Sequence, residues 1–575
     1  MAEAAPVNCQ GVGLNASLLL QPRATRIQYT SVAAVAAPLM LAIAGSALTP
    51  LPCAFSLAGV PLGTVVLLCI GVANNYTCVL MVRAASRLGV SGYEEVVLAA
   101  GGRPALRWCR VALILLLFGT IVGCLATIQE TGTRAMRELS RQVLLEGYET
   151  TGKAVQWFAV DPVGRIALIV SLTIVVLLPL SMGSLGEMQC VSVLGVALMA
   201  VISVYMVVSA ALLGDDDMSL LVSMPKGKLA LSEAASTFSY AFYVQPWVVP
   251  QLRMLPPGEQ GASTVVAAIH VIFVITGIAY LCVGLGGLFF FGDGFVPQDL
   301  VQGLRGSVSG PLAGVFCTYS ILCFPPNVVP LRETLVRLYL ETPRLEIAPC
   351  VEHIASMFMP RLVITESMNE ALAPQPPMSS SDSPEEARLP PPPIHSSPSW
   401  ASAVASAVVH TAGGSTAVLP PLQNVVLTTA LVGGALGVTA VLPNASAQIF
   451  ALTGATGVCA IGYIFPIYAF WCLPEPHGGA RSPSMPVLTT APSPPHRCLP
   501  EDLGGARRST PADRWARRLC LWLTQRVWPA CVLCLGCAVS ILTLIAVADQ
   551  WKHPSNVAGT CAAPDYHHSN SSHDA

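Results

Sequence analysis

The sequence predicts an all-α integral membrane fold: eleven transmembrane helices, built as a five-plus-five inverted repeat with helices one and six broken, plus an extra C-terminal helix. Three observations predict it. The 575-residue chain is 53% hydrophobic and only 11% charged, and its charges gather between apolar runs. Eleven of those runs reach the roughly 20 residues that a helix needs to cross a ~30 Å hydrocarbon core. The first run is interrupted at Gly45 to Pro52 and the sixth at Ser239 to Pro246, corresponding places in two sets of five.

Residues 1–30 are mostly polar or small and form a tail expected in the cytoplasm. The first repeat, 31–213, holds the runs Ser31 to Leu57, Pro61 to Val82, Ala105 to Gln129, Val163 to Leu180 and Glu187 to Leu213. The second, 230–472, holds Ala230 to Leu252, Ser263 to Phe291, Ser309 to Pro330, Gln423 to Leu442 and Ala445 to Cys472. Trp528 to Ala548 makes the eleventh helix, followed by a tail, 549–575. Two segments differ in composition: the insertion 342–421, with the run Pro390 to Pro393, and the loop 473–527, with Ser482-Pro483 and Ser493-Pro494. Both read as disordered, and Pro/Ser-rich segments of this kind can dock cytoplasmic partners.

Basic residues orient the chain. With the N-terminus in the cytoplasm, 21 of the 30 Lys and Arg fall inside and 8 outside, with Arg165 in helix four. That bias follows the positive-inside rule and puts the C-terminus on the extracytoplasmic side. The expected location is a multi-pass protein of the plasma membrane or of a vacuolar or lysosomal membrane. The net charge of −2 says little about partners, and no nucleic-acid partner is expected. Among outside segments only Cys561 is a cysteine, so no extracellular disulfide framework is expected. Cys531, Cys534 and Cys537 lie three apart in an apolar helix without a nearby His, which favours small packing residues over a metal site. No spacing of His, Cys, Ser or Asp matches a nucleophile or metal motif, so neither an enzyme nor a cofactor is expected.

A broken helix inside a membrane frees backbone groups that lipid cannot satisfy, so it is tolerated only where protein or a cavity surrounds it. Either interruption alone could be a proline kink. Paired in register, they point to a binding site between two repeats.

At these residues the chain resembles the amino acid/auxin permeases, which include neutral, proton-coupled and vesicular amino acid transporters of eukaryotes. The resemblance covers about 31–341 and 422–548. Its pieces are Ala44-Gly45-Ser46-Ala47-Leu48-Thr49-Pro50-Leu51-Pro52, Ser91-Gly92-Tyr93-Glu94-Glu95, Phe291-Gly292-Asp293, Phe324-Pro325 through Pro330-Leu331-Arg332-Glu333, and Phe450-Ala451-Leu452-Thr453-Gly454-Ala455-Thr456-Gly457. The resemblance implies a LeuT-like bundle and secondary active transport of an amino acid by alternating access. It implies that N–H groups of Gly45, Ser46 and Ala47, with Thr49 beside them, hold a carboxylate. Helix N-termini suit that task because their first N–H groups lack internal partners. Carbonyls around Ser239 to Tyr243 would receive the ammonium group, with Tyr240, Phe242 and Tyr243 walling the side-chain pocket.

The coupling ion follows from where the chain departs from its relatives. Sodium-coupled relatives carry Asn and Thr where this chain carries Met40 and Cys323, which disfavours sodium because neither sulfur is a hard oxygen ligand. Thr318 and Ser320 remain as oxygen-bearing substitutes. Proton coupling needs a titratable group in the path, and Glu130 and His270 are the candidates. The competing reading is a membrane amino acid sensor that signals through its Pro/Ser-rich loops.

Overall fold

The computed structural model describes residues 31–145, 148–182, 189–213, 227–256, 258–291, 296–304, 309–341, 421–441, 446–473 and 526–552. Every regular element among the described residues is helical. The expected N-terminal tail, nearly all of the insertion 342–421 and of the loop 473–527, and most of the C-terminal tail lie outside them.

The first half contains α1 (Val32–Ala44), α2 (Leu51–Ala58), α3 (Val60–Leu88), α4 (Tyr93–Leu145), α5 (Glu149–Val160), α6 (Pro162–Leu172), α7 (Leu178–Met182) and α8 (Gln189–Leu213). Then come α9 (Lys228–Ala241), α10 (Gln245–Val248), α11 (Glu259–Phe291), α12 (Leu300–Gly303), α13 (Ser309–Cys323) and α14 (Pro325–Glu341). The described chain closes with α15 (Pro421–Val441), α16 (Ser446–Thr453), α17 (Phe465–Cys472) and α18 (Trp528–Lys552). A π-helical stretch joins α6 to α7 and another, Gly454–Ile464, joins α16 to α17.

Among the described residues, nine helices are long and apolar enough to cross a membrane. They coincide with the second to fifth and the seventh to eleventh predicted runs. The first and sixth runs are the ones divided into shorter helices, and the sequence shows why. In α1 the helix ends at Gly45, whose φ of 27° is strained for any residue with a side chain. Pro50 and Pro52 have no N–H to give the carbonyls four residues back, so the ladder cannot resume before α2, where Pro52 sits in the first turn. The second division follows the same logic: Pro246 deprives Phe242 of a donor, and α9 stops at Ala241.

Both divided segments are buried around their breaks. Residues 234–249 form one unbroken buried stretch. Helix α11 packs against α1, α2, α3 and α8, while α9 packs against α2, α3, α16 and α18. Phe55 and Phe238, with ring centroids 5.2 Å apart, join α2 to α9. At Gly454 an added Cβ would meet the Ser236 carbonyl at 2.5 Å, so only glycine lets this span lie so close to α9. The outer helices instead turn apolar side chains such as Val175, Val204 and Ile278 outward, as a lipid-facing surface requires.

Three features depart from the expected boundaries. The third helix continues past Gln129 to Leu145, because its charged continuation is still made of good helix formers; Ser140 Oγ then donates to the Gly152 carbonyl at 3.0 Å to pair it with α5. The eighth run divides at Phe324, where Asn327 Nδ2 donates to the Cys323 carbonyl at 2.8 Å. Cys53 is disulfide-bonded, a bridge that the sequence reading did not anticipate.

Within α4, Gly102 (φ 66°, ψ −164°) folds the chain back so that Glu94 meets Arg110 sixteen residues on. Arg110 Nε lies 2.8 Å from Glu94 Oε2, both side chains are under one-tenth exposed, and Thr334 Oγ1 donates to Glu94 Oε1 at 3.1 Å. Removing one partner strands a buried charge, so Arg110→Ala should cost about 3–5 kcal/mol. Thermal unfolding of the detergent-purified protein measures this, and the double variant Arg110→Met with Glu94→Gln should recover most of it.

Candidate functional site

The two divided segments converge on Tyr280 of α11. Its hydroxyl lies 2.9 Å from the Ile43 carbonyl and 2.5 Å from the Ala241 carbonyl. In an uninterrupted helix these carbonyls would accept from Ala47 and Gln245, so the breaks are what release them. One hydroxyl carries one proton, so the two acceptors compete for it. The C-terminal ends of α1 and α9 therefore concentrate partial negative charge here. A few residues on, the 3-10 turn Ser46–Leu48 and the start of α2 present the opposite helix end.

The expected site residues sit around this point. Gly45 is half-buried, Ala47 and Thr49 are buried, and the side chain of Ser46 lies outside the described residues. The Thr49 carbonyl accepts from the Leu300 N–H at 3.0 Å, which ties α12 to the first break. Tyr243 joins a polar chain beneath the second break: its hydroxyl is 2.8 Å from Thr120 Oγ1 and donates to Asn327 Oδ1 at 3.1 Å.

Ser239 serves a second polar cluster. Its Oγ lies 2.9 Å from the Tyr463 hydroxyl, which accepts from Asn74 Nδ2 at 2.7 Å. Gln245 completes the cluster, donating Nε2 to Asn74 Oδ1 at 2.8 Å while its Oε1 caps the Val244 N–H at 3.0 Å. Tyr240 stacks on Phe450 with centroids 4.7 Å apart, and Phe242 stacks on Phe273 at 5.7 Å while meeting Tyr280 edge-on. Phe242 is thus held in an aromatic contact with α11.

The four ion candidates are not brought together. Glu130 is buried, and its Oε2 accepts from Ser446 Oγ at 2.9 Å. Ser320 is buried, with no partner for its hydroxyl among the described residues. Thr318 is exposed and gives its hydroxyl to the Gly314 carbonyl of its own helix at 2.9 Å. His270 is exposed, beside the outward-turned Val271 and Val274. Met40 and Cys323 are both buried.

Sequence reasoning missed Tyr280, Asn327, Tyr463 and Gln245. A signal existed for the first, since a lone Tyr in a helix as apolar as α11 needs a hydroxyl partner when buried. Tyr463 sits in the π-helical stretch, whose irregular backbone no hydropathy pattern announces.

No curated protein matches the chain. Residues 28–473 match the family model described as transmembrane amino acid transporter protein. As that match spans well over half of the 575 residues, the chain belongs to the transmembrane amino acid transporter family.

Proposed function

We propose that this family member works by alternating access, as a LeuT-like bundle of two five-helix repeats with an appended eleventh helix. The first and sixth helices are α1 with α2 and α9 with α10. The substrate carboxylate is held by N–H groups of Gly45, Ser46 and Ala47, and its ammonium by carbonyls freed at the two breaks. Tyr240 and Tyr243 flank the side-chain pocket. The observation that carries this reading is the meeting of the Ile43 and Ala241 carbonyls at one hydroxyl, beside the turn Ser46–Leu48. An amino acid carries both charges, and the two helix ends offer both complements a short distance apart.

Protons are favoured over sodium as the coupling ion. Met40 and Cys323 stand where sodium-coupled relatives carry oxygen ligands, and Thr318 is exposed. Glu130 is a buried titratable group within a membrane-spanning helix, as a proton carrier requires.

Purified protein in proteoliposomes should take up radiolabelled amino acids saturably, and an inward pH gradient should drive accumulation without sodium. Absence of saturable uptake for every common amino acid would sink the transporter mechanism; uptake that requires sodium and ignores pH would sink the coupling. Tyr280→Phe removes the hydroxyl shared by the two carbonyls and should lower stability by about 1–3 kcal/mol. Uptake should fall by roughly fivefold or more, a change of about 1 kcal/mol or greater. Unchanged unfolding and uptake would show that this hydroxyl does not brace the breaks.

A further inference from the structure

We propose that Glu130 and Asp299 together form the proton-binding site, a carboxyl pair that holds one proton and passes its state to the first break through α12. The proposal rests on the proton-coupled reading above and adds Asp299, the partner of Glu130, and the link to the break.

The geometry begins with burial. Glu130 is 9% exposed and Asp299 1% exposed. Each carboxyl has one oxygen with an ordinary donor: Ser446 Oγ donates to Glu130 Oε2 at 2.9 Å, and the Val301 N–H donates to Asp299 Oδ1 at 2.8 Å. The remaining oxygens, Glu130 Oε1 and Asp299 Oδ2, are buried and receive no N–H or hydroxyl. Helix α12 packs on α4, and each of the two carboxyl groups is the other's charged neighbour. Ionised carboxylates only accept, so neither can satisfy the other's open oxygen unless one of the two carries a proton. Two negative charges in this position would repel across a medium that screens poorly.

No cation neutralises the pair among the described residues. Of the titratable groups, only the two carboxyls act on each other. Arg134, one turn further along α4, donates to the Leu304 carbonyl at 2.7 Å and lies 3.7 Å from Glu138. On α13 the nearby titratable group is the Cys317 thiol, which donates to the Ile128 carbonyl at 3.9 Å. The remaining charged groups of helices packed on this end of α4 are the exposed Glu149 and Lys153 pair of α5 and Arg165 of α6. From α16 comes Ser446, and α15 brings Thr439, whose hydroxyl goes to the Ala435 carbonyl at 3.0 Å.

The link to the substrate region is a backbone bond. Asp299 caps α12, and the next residue, Leu300, donates its N–H to the Thr49 carbonyl at 3.0 Å. The far end of α12 is fixed to α4 through Leu304 and Arg134. With the proton present, the pair clamps α12 to α4 and holds Leu300 on Thr49. When it leaves to water, the carboxylates separate, α12 shifts, and the break that begins α2 loses its partner. Proton occupancy and the shape of the break thus share one element, which is what coupling requires.

The test uses full-length protein with Glu130→Gln and Asp299→Asn. Both are near-isosteric: Gln keeps an acceptor for Ser446 and Asn can still cap α12, so thermal unfolding serves as the check on folding. In infrared difference spectra across a pH titration, without substrate, the wild type should show a protonated carboxylic acid band that both variants lack. In proteoliposomes, pH-gradient-driven uptake should fall by roughly tenfold or more in each. A band that persists in both variants, or gradient-driven uptake equal to wild type, overturns the pair. If the wild type transports no amino acid, the transport reading fails, while the infrared titration still decides whether the pair binds a proton. Should either substitution prevent folding, the exchange Glu130→Asp with Asp299→Glu keeps both carboxyls; recovery of the band supports the pair, and its loss in a folded protein overturns it.

Discussion

Backbone polar groups released inside a lipid-shielded bundle must find partners within the protein, and the arrangement around α1, α2, α9 and α10 follows from that demand. The interruptions free carbonyls at Ile43 and Ala241, and the Thr49 carbonyl beside the first break takes a partner from another helix. Tyr280 serves the first two, and the Leu300 N–H serves the third. The Val244 N–H is capped by the Gln245 side chain, and Trp247 Nε1 donates to the Pro326 carbonyl at 2.7 Å. The repairs come from α11, from α12 and from α10 itself, so the breaks sit where neighbouring elements can surround them. A site with exposed backbone dipoles of both signs is then a consequence of burial together with interruption.

The repairs also differ in how reversible they are. The Asn74, Tyr463, Ser239 and Gln245 cluster is fully buried and made of neutral groups, so it supports α9 without storing charge. The bond between Tyr280 and its two carbonyls is different, because one proton is shared between two acceptors. In the proposed reading a substrate ammonium would take the place of that shared proton at one of the two carbonyls.

The continuous helices were legible because hydropathy over about 20 residues reports them directly. The breaks were legible because Gly45, Pro50, Pro52 and Pro246 each remove a specific requirement of the helix. The length of α4 was not, since a hydropathy reading stops where charge begins while helix propensity continues. The partners of the site were also hidden, because their contacts join distant residues: Tyr280 reaches Ile43 across 237 positions and Tyr463 reaches Asn74 across 389. Glu130 could be singled out as an acidic residue at a helix end, but nothing in one sequence pairs it with a loop residue such as Asp299.

The proposed alternating access would need contacts that can break, and the ion pairs divide along that line. Glu94 and Arg110 are buried at 2.8 Å, a pair whose rupture would strand charge and which therefore belongs to the permanent frame. Glu95 in the next position behaves otherwise. It accepts from the N–H groups of Ser91 and Gly92 at 3.2 and 3.1 Å, and it approaches Arg253 and Arg337 at only 3.8 and 3.9 Å, with all three side chains about a quarter exposed. Partly hydrated pairs of that length contribute at most about 1 kcal/mol each. They tie the end of the sixth segment to the loop before α4 and to α14, at the end of the bundle opposite α12. A rearrangement that opened this end would thus cost little in broken ion pairs, whereas the buried Glu94 and Arg110 resist any separation of the two arms of α4.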